Sequence, residues 1–522
     1  MQERPSRRIA PCDHRGAGND NDGEDDVAYF LTADGGTESL RARVYDVAGT
    51  CLGSVAVPYQ TAFSAGARAE QDPADWWANF VKASRGAIAE AGIDPTRIEA
   101  IAYATTCCSV VALDENGDAL RPALIWMDVR AHAEADAVLA TGDPALQLNG
   151  GGQGPVSAEW MIPKALWLKR NEPEIYHRAH RICEYQDFLT FKLTGEWAAS
   201  LDNVGLRWHY RNDAGGWARS LVEALGIGDI VEKWPPRVVP PGEVIGTLSG
   251  PAAEALGLPR SVKVVQGGVD ALIGMVGLGV SRPGQLALIT GSSHLQFGVT
   301  GEPLSAPGVW GAYADILYPD RYIVEGGQTS TGSIINWLGR LTGGLDFAEL
   351  NAKAAQLEPG SEGLIVQDHF QGNRTPYTDP LSRGAILGLT LAHEKHHLFR
   401  AIMEGIAFGT RAILDAFARA GYSSTEMTVG GGASASDLWL QIHADTSGLP
   451  IRIPASPDAP STGSAVLAAV GAGRFGSIDE SIAAMVRPGR TIEPDPANVA
   501  RYEEIYQRYL AVYPAAKNIL GR

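Results

Sequence analysis

No stretch of this 522-residue chain approaches the roughly 18 consecutive apolar residues that a membrane span requires, so no transmembrane segment is expected. The first 26 residues, running from MQERPSRR to GNDNDGEDD, also lack an apolar core of the signal-peptide kind; their composition predicts disorder. Excess positive charge is missing too. A net charge of −17 disfavours nucleic acid and anionic membranes, both of which reward basic surfaces. Cysteine is scarce: the five residues are odd in number and have no CxxC spacing, which argues against a disulfide framework and points to a reduced, cytoplasmic setting. What the chain does have is length. Single cores rarely grow past about 300 residues, so at least two domains are expected.

Order is predicted to begin at DVAYFLTADGGTESLRARVYDVAGTCLGSVAVPY, a β-meander folded around a Gly-Gly-Thr turn. A helix follows in DPADWWANFVKASRGAIAEAG, where Trp76, Phe80, Ala83 and Ala87 share one face. Residues 155 to 235 read as mostly helical and Trp-rich. After RPGQ the plan restarts with LALITGSSHLQFGVT, again a strand, a small-residue turn and a strand, about half a chain after the first.

Three glycine-rich turns stand out: Asp34-Gly35-Gly36-Thr37, Thr290-Gly291-Ser292-Ser293 and Val429-Gly430-Gly431-Gly432. Such turns let several backbone N–H groups converge on a phosphate. Hairpins use the same residues for steric reasons alone, so it is their joint occurrence in two similar halves that suggests a nucleotide between domains. The third turn leads from the strand EMTV into a helix, an entry suited to adenosine. Asp270, in VVQGGVDALIGMVGLG, is a carboxylate among apolar residues, which is costly unless it caps a helix or does chemistry.

The stretch RGAILGLTLAHEKHHLFRAIME, with Gly384, Ile386, Gly388, Leu389, His397, Leu398, Ala401 and Glu404, resembles the C-terminal signature of the FGGY carbohydrate kinases. QGNRTPYTDP, VGGGASASDLWLQIHADTSGLPI, DGGTESLRA, LIWMDVRA and the segment around Asp270 are also similar to that family, in the family's order, from residue 27 to about 515. The resemblance implies an α/β fold of two RNase H-like domains of the actin, Hsp70 and hexokinase superfamily around a catalytic cleft. They would span residues 27–280 (sugar, first phosphate hairpin, catalytic Asp) and 281–515 (nucleotide). It implies ATP-dependent phosphorylation of a sugar hydroxyl, with Mg²⁺. Asp270 would be the general base and a sugar contact, and Asp34 the metal ligand. Gly36, Thr37, Gly291, Ser292, Ser293, Gly327, Gln328, Gly431, Gly432 and Ala433 would meet the nucleotide. TTCCS at 105–109, DGGTES and EGGQ look most like the ribulokinase branch, which implies a ketopentose and sugar contacts from Thr106, Asp128 and Glu325. Two of these have plainer readings, Asp128 as a partner of Arg130 and Glu325 as a strand-end residue. A tetritol, pentitol or other polyol, or a sugar sensor without catalysis, are the alternatives; retention of Asp34, Asp270 and all three turns argues against the sensor. Partners reduce to a small sugar or polyol, with a homodimer left open.

His393-Glu394-Lys395-His396-His397 matches HExxH. If helical, His393 and His397 would share a face, but no third ligand is evident and His397 belongs to the similarity above, so no zinc is expected. Of the adjacent Cys107 and Cys108, at least one is expected in the core. The stripe Tyr502, Ile505, Tyr509 and Val512 predicts a C-terminal helix from Pro496 packed on the second domain.

Overall fold

A computed structural model describes residues 27–152, 154–456 and 458–519; the tail expected to be disordered lies outside the described residues. The opening meander is there: Tyr29–Gly35, Ser39–Asp46 and Cys51–Pro58 pair antiparallel in turn. Ile98–Thr105 adds parallel on the other side of the first strand, followed outward by Lys263–Val265 and Val244–Thr247. The second sheet repeats the plan. Its order is Tyr322–Gln328, His294–Thr300, Gln285–Thr290, Glu426–Gly431 and Ile451–Ile453, with Trp310–Ala314 and Arg490–Ile492 added at its edges. In both sheets three antiparallel strands are continued by two parallel ones, so the halves share one architecture, the expected two-domain α/β fold.

The first strand is buried along nearly its whole length because both faces are covered, which explains its continuous apolar run. Leu31 and Ala33 meet the helix Pro73–Ala91 through Trp76, Phe80, Ala83 and Ala87, all fully buried. That helix starts where Asp72 accepts the Ala74 N–H and ends at left-handed Gly92. Phe30, on the opposite face, joins a different core that draws on both halves of the chain.

Two crossed helices build that shared core. Ala459–Ala472, late in sequence, packs on the first sheet, whereas Asp270–Gly277, at the end of the first half, reaches the second sheet. They touch backbone to backbone. A Cβ on Gly463 would lie 1.9 Å from the Ile273 carbonyl oxygen, and one on Gly277 would lie 1.9 Å from that of Ala459. No side chain fits there.

Residues 161–233 supply the Trp-rich helices, with Trp160, Trp208 and Trp234 buried in one cluster. The last helix, Pro496–Ile519, buries the predicted Tyr502, Ile505, Tyr509 and Val512, and Tyr506 as well, against Asp437–Ser447, Ile365–Gln367 and Lys395–Arg419. Among the described residues no helix is long and apolar enough to cross a membrane.

Because the contact at the crossing is with backbone, Gly463→Ala should destabilise the protein by about 1–3 kcal/mol, the usual cost of overpacking. Thermal melts check this; an unchanged Tm would mean the helices separate freely.

Candidate active site

A cleft of about 480 Å³ opens where the crossed helices begin, and Asp34, Thr37, Thr106, Asp270, Gly291 and Gly431 all line it. The sequence around Asp270 explains how it gets there. A Cβ on Gly267 would stand 1.7 Å from the Tyr103 carbonyl oxygen and one on Gly268 1.9 Å from the Asp202 carboxylate. The two glycines therefore let the chain lie against strand Ile98–Thr105, while Asp202 accepts the Val269 N–H at 3.0 Å. Asp270 then opens its helix in the first turn, and Val269 holds the capping position. One Asp270 oxygen accepts the Ala271 N–H at 2.7 Å. Burial raises its pKa to about 6, with that N–H pulling the other way.

Asp34, at the end of the first strand, is 5% exposed. Its pKa is raised to about 7 by burial and then by the charges of Asp458 and Asp270, against the pull of Arg41 and Arg43. Arg41 reaches it at 3.3 Å; Arg43 is tied instead to Asp458 at 2.5 Å. Asp458 also accepts the Ser461 N–H at 3.2 Å and so starts the second crossed helix. Three carboxylates thus converge on one cleft, an arrangement that favours a cation.

Among the described residues no group of three or more His, Cys, Asp and Glu side chains is placed to hold a metal by itself. Asp34 still fits Mg²⁺, which commonly takes one or two carboxylates and completes its shell with water and substrate phosphate.

The glycine turns are braced from behind. Trp126 Nε1 donates to Thr37 Oγ1 at 2.9 Å, and Gln71 donates to the Thr37 carbonyl at 2.9 Å. The second turn closes with Gly291 N–H on Ser293 O at 2.9 Å, and its Ser292 carbonyl takes the Thr331 N–H at 2.9 Å. Thr290 sews this turn to the third, donating to Gly430 O at 2.7 Å and accepting the Ala433 N–H at 3.0 Å. Gly291, Ser293, Gly430 and Gly431 reach the cleft wall; Gly36, Ser292 and Gly432 sit in the same turns, the last two exposed, and Ala433 is buried.

Beside the first turn the wall is Thr106, Cys107, Trp126 and Glu159. Lys164, wholly buried, donates to Cys108 O at 2.7 Å, Leu124 O at 3.1 Å and Ile125 O at 2.7 Å, fastening the 106–109 loop to the Trp126 loop. Burial pulls its pKa below the ordinary lysine value. Cys108 is the core cysteine, and Cys107 faces the cleft 3.6 Å from it. Glu159 is half-buried; desolvation raises its pKa, offset by the charges of Lys164, Arg207 and Arg374.

Four of the residues expected at the site are engaged by partners within the protein. Asp128 is fully buried and forked to Arg130 at 2.9 and 2.7 Å, and it also accepts the Ala69 N–H at 2.8 Å. Burial would raise its pKa, but these donors hold it below the usual carboxylate range, so Asp128 braces the loop from within. Glu325 takes Arg207 at 2.6 and 3.0 Å, Arg374, and the Tyr313 hydroxyl at 3.1 Å. Against the upward push of burial, the two arginines hold it at about 2. Gly327 packs on Arg374, and Gln328 bonds Asp368 at 2.8 Å and Ile406 O at 2.9 Å. Gln328 pairs with His294 beside the second glycine turn, but its side-chain amide is spent on Asp368 and the Ile406 carbonyl.

HExxH is spread over a helix start. His393 precedes the helix and accepts the Thr390 N–H at 2.9 Å, while Glu394 and His397 form a reciprocal cap.

Arg41, Glu159 and Asp458 escaped the sequence reading. Asp458 had a local signal, an acid before Ala-Pro at a helix start. Glu159 had none.

The C-terminal and N-terminal domain models of the FGGY family of carbohydrate kinases match residues 286–472 and 29–277. A human FGGY carbohydrate kinase domain-containing protein is 31% identical over 94% of this chain and 97% of its own length. A ribulokinase from Geobacillus thermodenitrificans is 29% identical over 93% of this chain and 94% of its own. The crystal structure of xylulose kinase from Rhodospirillum rubrum, 27% identical, superposes with a TM-score of 0.85 over 95% of this chain and 100% of that one.

The Asp34 carboxyl titrates at 3.8 ordinarily and at about 7 here, so the unfolded chain releases a proton the folded one keeps. Stability is therefore lost as pH rises from about 4 to about 7, and the full cost is present above that. Without nucleotide or divalent metal, Asp34→Asn should stabilise by about 2–4 kcal/mol more at pH 8 than at pH 4. Melts at the two pH values check this, and an equal gain at both would remove the charge conflict.

Proposed function

This chain belongs to the FGGY family of carbohydrate kinases and is a sugar kinase that uses ATP, and we propose that the hydroxyl it phosphorylates is carried by a ketopentose such as ribulose or xylulose. The carrying observation is Asp270, a carboxylate with a raised pKa in a cleft flanked by glycine turns from both halves. Similarity along nearly the whole chain to proteins named ribulokinase and xylulose kinase supports the pentulose reading.

In this reading residues 27–280 hold the sugar and 281–515 the nucleotide. Thr106 orients the sugar. Gly36, Thr37, Gly291, Ser292 and Ser293 cradle the phosphates, Arg41 adds charge beside them, and Gly431 and Gly432 approach the adenosine. Asp34 would hold Mg²⁺, which would neutralise phosphate charge. The sugar hydroxyl hydrogen-bonds to Asp270; as its oxygen bonds to the γ-phosphorus, the bond from that phosphorus to the β-phosphate oxygen breaks, ADP leaves, and the hydroxyl proton passes to Asp270. A carboxylate raised towards neutrality is a stronger base than an exposed one and is still ionised at pH 7. Closure of the halves would keep water from competing for the phosphoryl group.

Asp270→Asn should lower kcat with the best ketopentose by about a hundred- to ten-thousand-fold while ATP binding, followed by calorimetry, persists. In the wild type, kcat/KM should fall as pH drops through about 6, because the base must be ionised. Near-normal turnover of the variant, or a flat profile down to pH 5, would sink the assignment of Asp270.

A further inference from the structure

Asp128 and Glu325, the carboxylates expected to read the sugar, are both engaged by arginines of the protein itself. We propose that Glu159 takes that part, accepting hydrogen bonds from sugar hydroxyls remote from the one phosphorylated. The inference rests on the sugar-kinase reading of the cleft and adds a residue that sets substrate choice.

Four carboxylates line the cleft: Asp34, Glu159, Asp270 and Asp458. Three are committed. Asp34 faces Arg41 at 3.3 Å, Asp458 is bound to Arg43 at 2.5 Å and starts a helix, and Asp270 is placed for proton removal. Glu159 shares its wall with Thr106, Cys107 and Trp126, and among the described residues no cation stands within ion-pair distance of it. The cations whose charge does reach it are spoken for. Lys164 spends its three protons on the carbonyls of Cys108, Leu124 and Ile125. Arg207 and Arg374 both clasp Glu325. Drawing any of them to Glu159 would break a buried bond, so beyond its neighbour Ser157 this half-buried carboxylate is left to water or to the hydroxyls of a ligand.

Neutral hydroxyls suit it. A carboxylate accepts from two of them at once, and an analogue lacking one leaves a half-buried charge under-bonded. The same charge, added to those of Asp34 and Asp270, repels sugar acids and sugars already phosphorylated. The ligand class is therefore an uncharged polyhydroxy compound.

The test compares wild type, Glu159→Ala and the isosteric Glu159→Gln by coupled ADP release, on the parent sugar and on deoxy analogues missing each remote hydroxyl in turn. Glu159→Ala should lower kcat/KM for the parent by about 10- to 100-fold, the scale of a hydrogen bond to a charged group. The loss should appear in KM for the sugar, with KM for ATP within about twofold. Against one deoxy analogue the wild type and Glu159→Ala should be nearly equal, because the lost partner is already absent; Glu159→Gln should fall between on the parent. A loss of the same factor on every analogue, a parallel rise in KM for ATP, or a Glu159→Gln variant equal to wild type would each overturn the proposal. Should the wild type turn over a polyol and no ketopentose, the ketopentose reading fails, and the same comparison on deoxy forms of that polyol still decides Glu159.

Discussion

The rest of the molecule depends on the contact between Gly277 and Gly463, where the two interdomain helices cross without side chains between them. Each helix belongs to one half of the sequence and packs against the sheet of the other, so beside the cores of its own each half shares one with its partner. The crossing also fixes where the helices begin. Asp270 opens one and Asp458 starts the other, and both line the cleft. Helix N-termini carry partial positive charge, which eases two carboxylates there and favours the anionic phosphates of a nucleotide.

The cleft is charged against its own stability. Asp34, Asp270 and Asp458 line one space; burial, and for Asp34 the charges of the other two as well, holds Asp34 and Asp270 well above their ordinary pKa values. Such a site is poorly arranged for the free protein, and under the proposed function a cation and a proton taken up in turnover would ease it. Asp202, beneath Asp270, is raised to about 7 chiefly by burial and extends the same strain into the strand behind the base.

Elsewhere buried charge is paired and does structural work. Arg207, from the Trp-rich region, reaches Glu325 on the second sheet, and Arg374 closes the triad, so an ion cluster joins the halves. Lys164 does the same for two loops through three carbonyls. Removing one member of such a group leaves the others buried and unsatisfied, which costs far more than the pair contributes by itself. Glu159 is placed among these fixed charges without being bound to them.

The sequence by itself determined the parts that depend on neighbours along the chain. Glycine turns at 35–36, 291 and 430–432 were legible because only such residues make those turns; the helix face of Trp76 and Phe80, the stripe of the last helix and the repeated strand-turn-strand plan were legible because periodicity is local. Asp270 stood out because a lone acid in an apolar run needs a reason. Tertiary structure alone decided which polar side chains are available to a ligand. Asp128 was within two residues of its partner, yet its full burial was not readable; Glu325 was claimed by Arg207, 118 positions away; and Glu159 reached the cleft with no mark in its own segment. A carboxylate's role is set by which donors arrive from distant strands and helices, and that depends on how the chain packs in three dimensions, which spacing along it does not record.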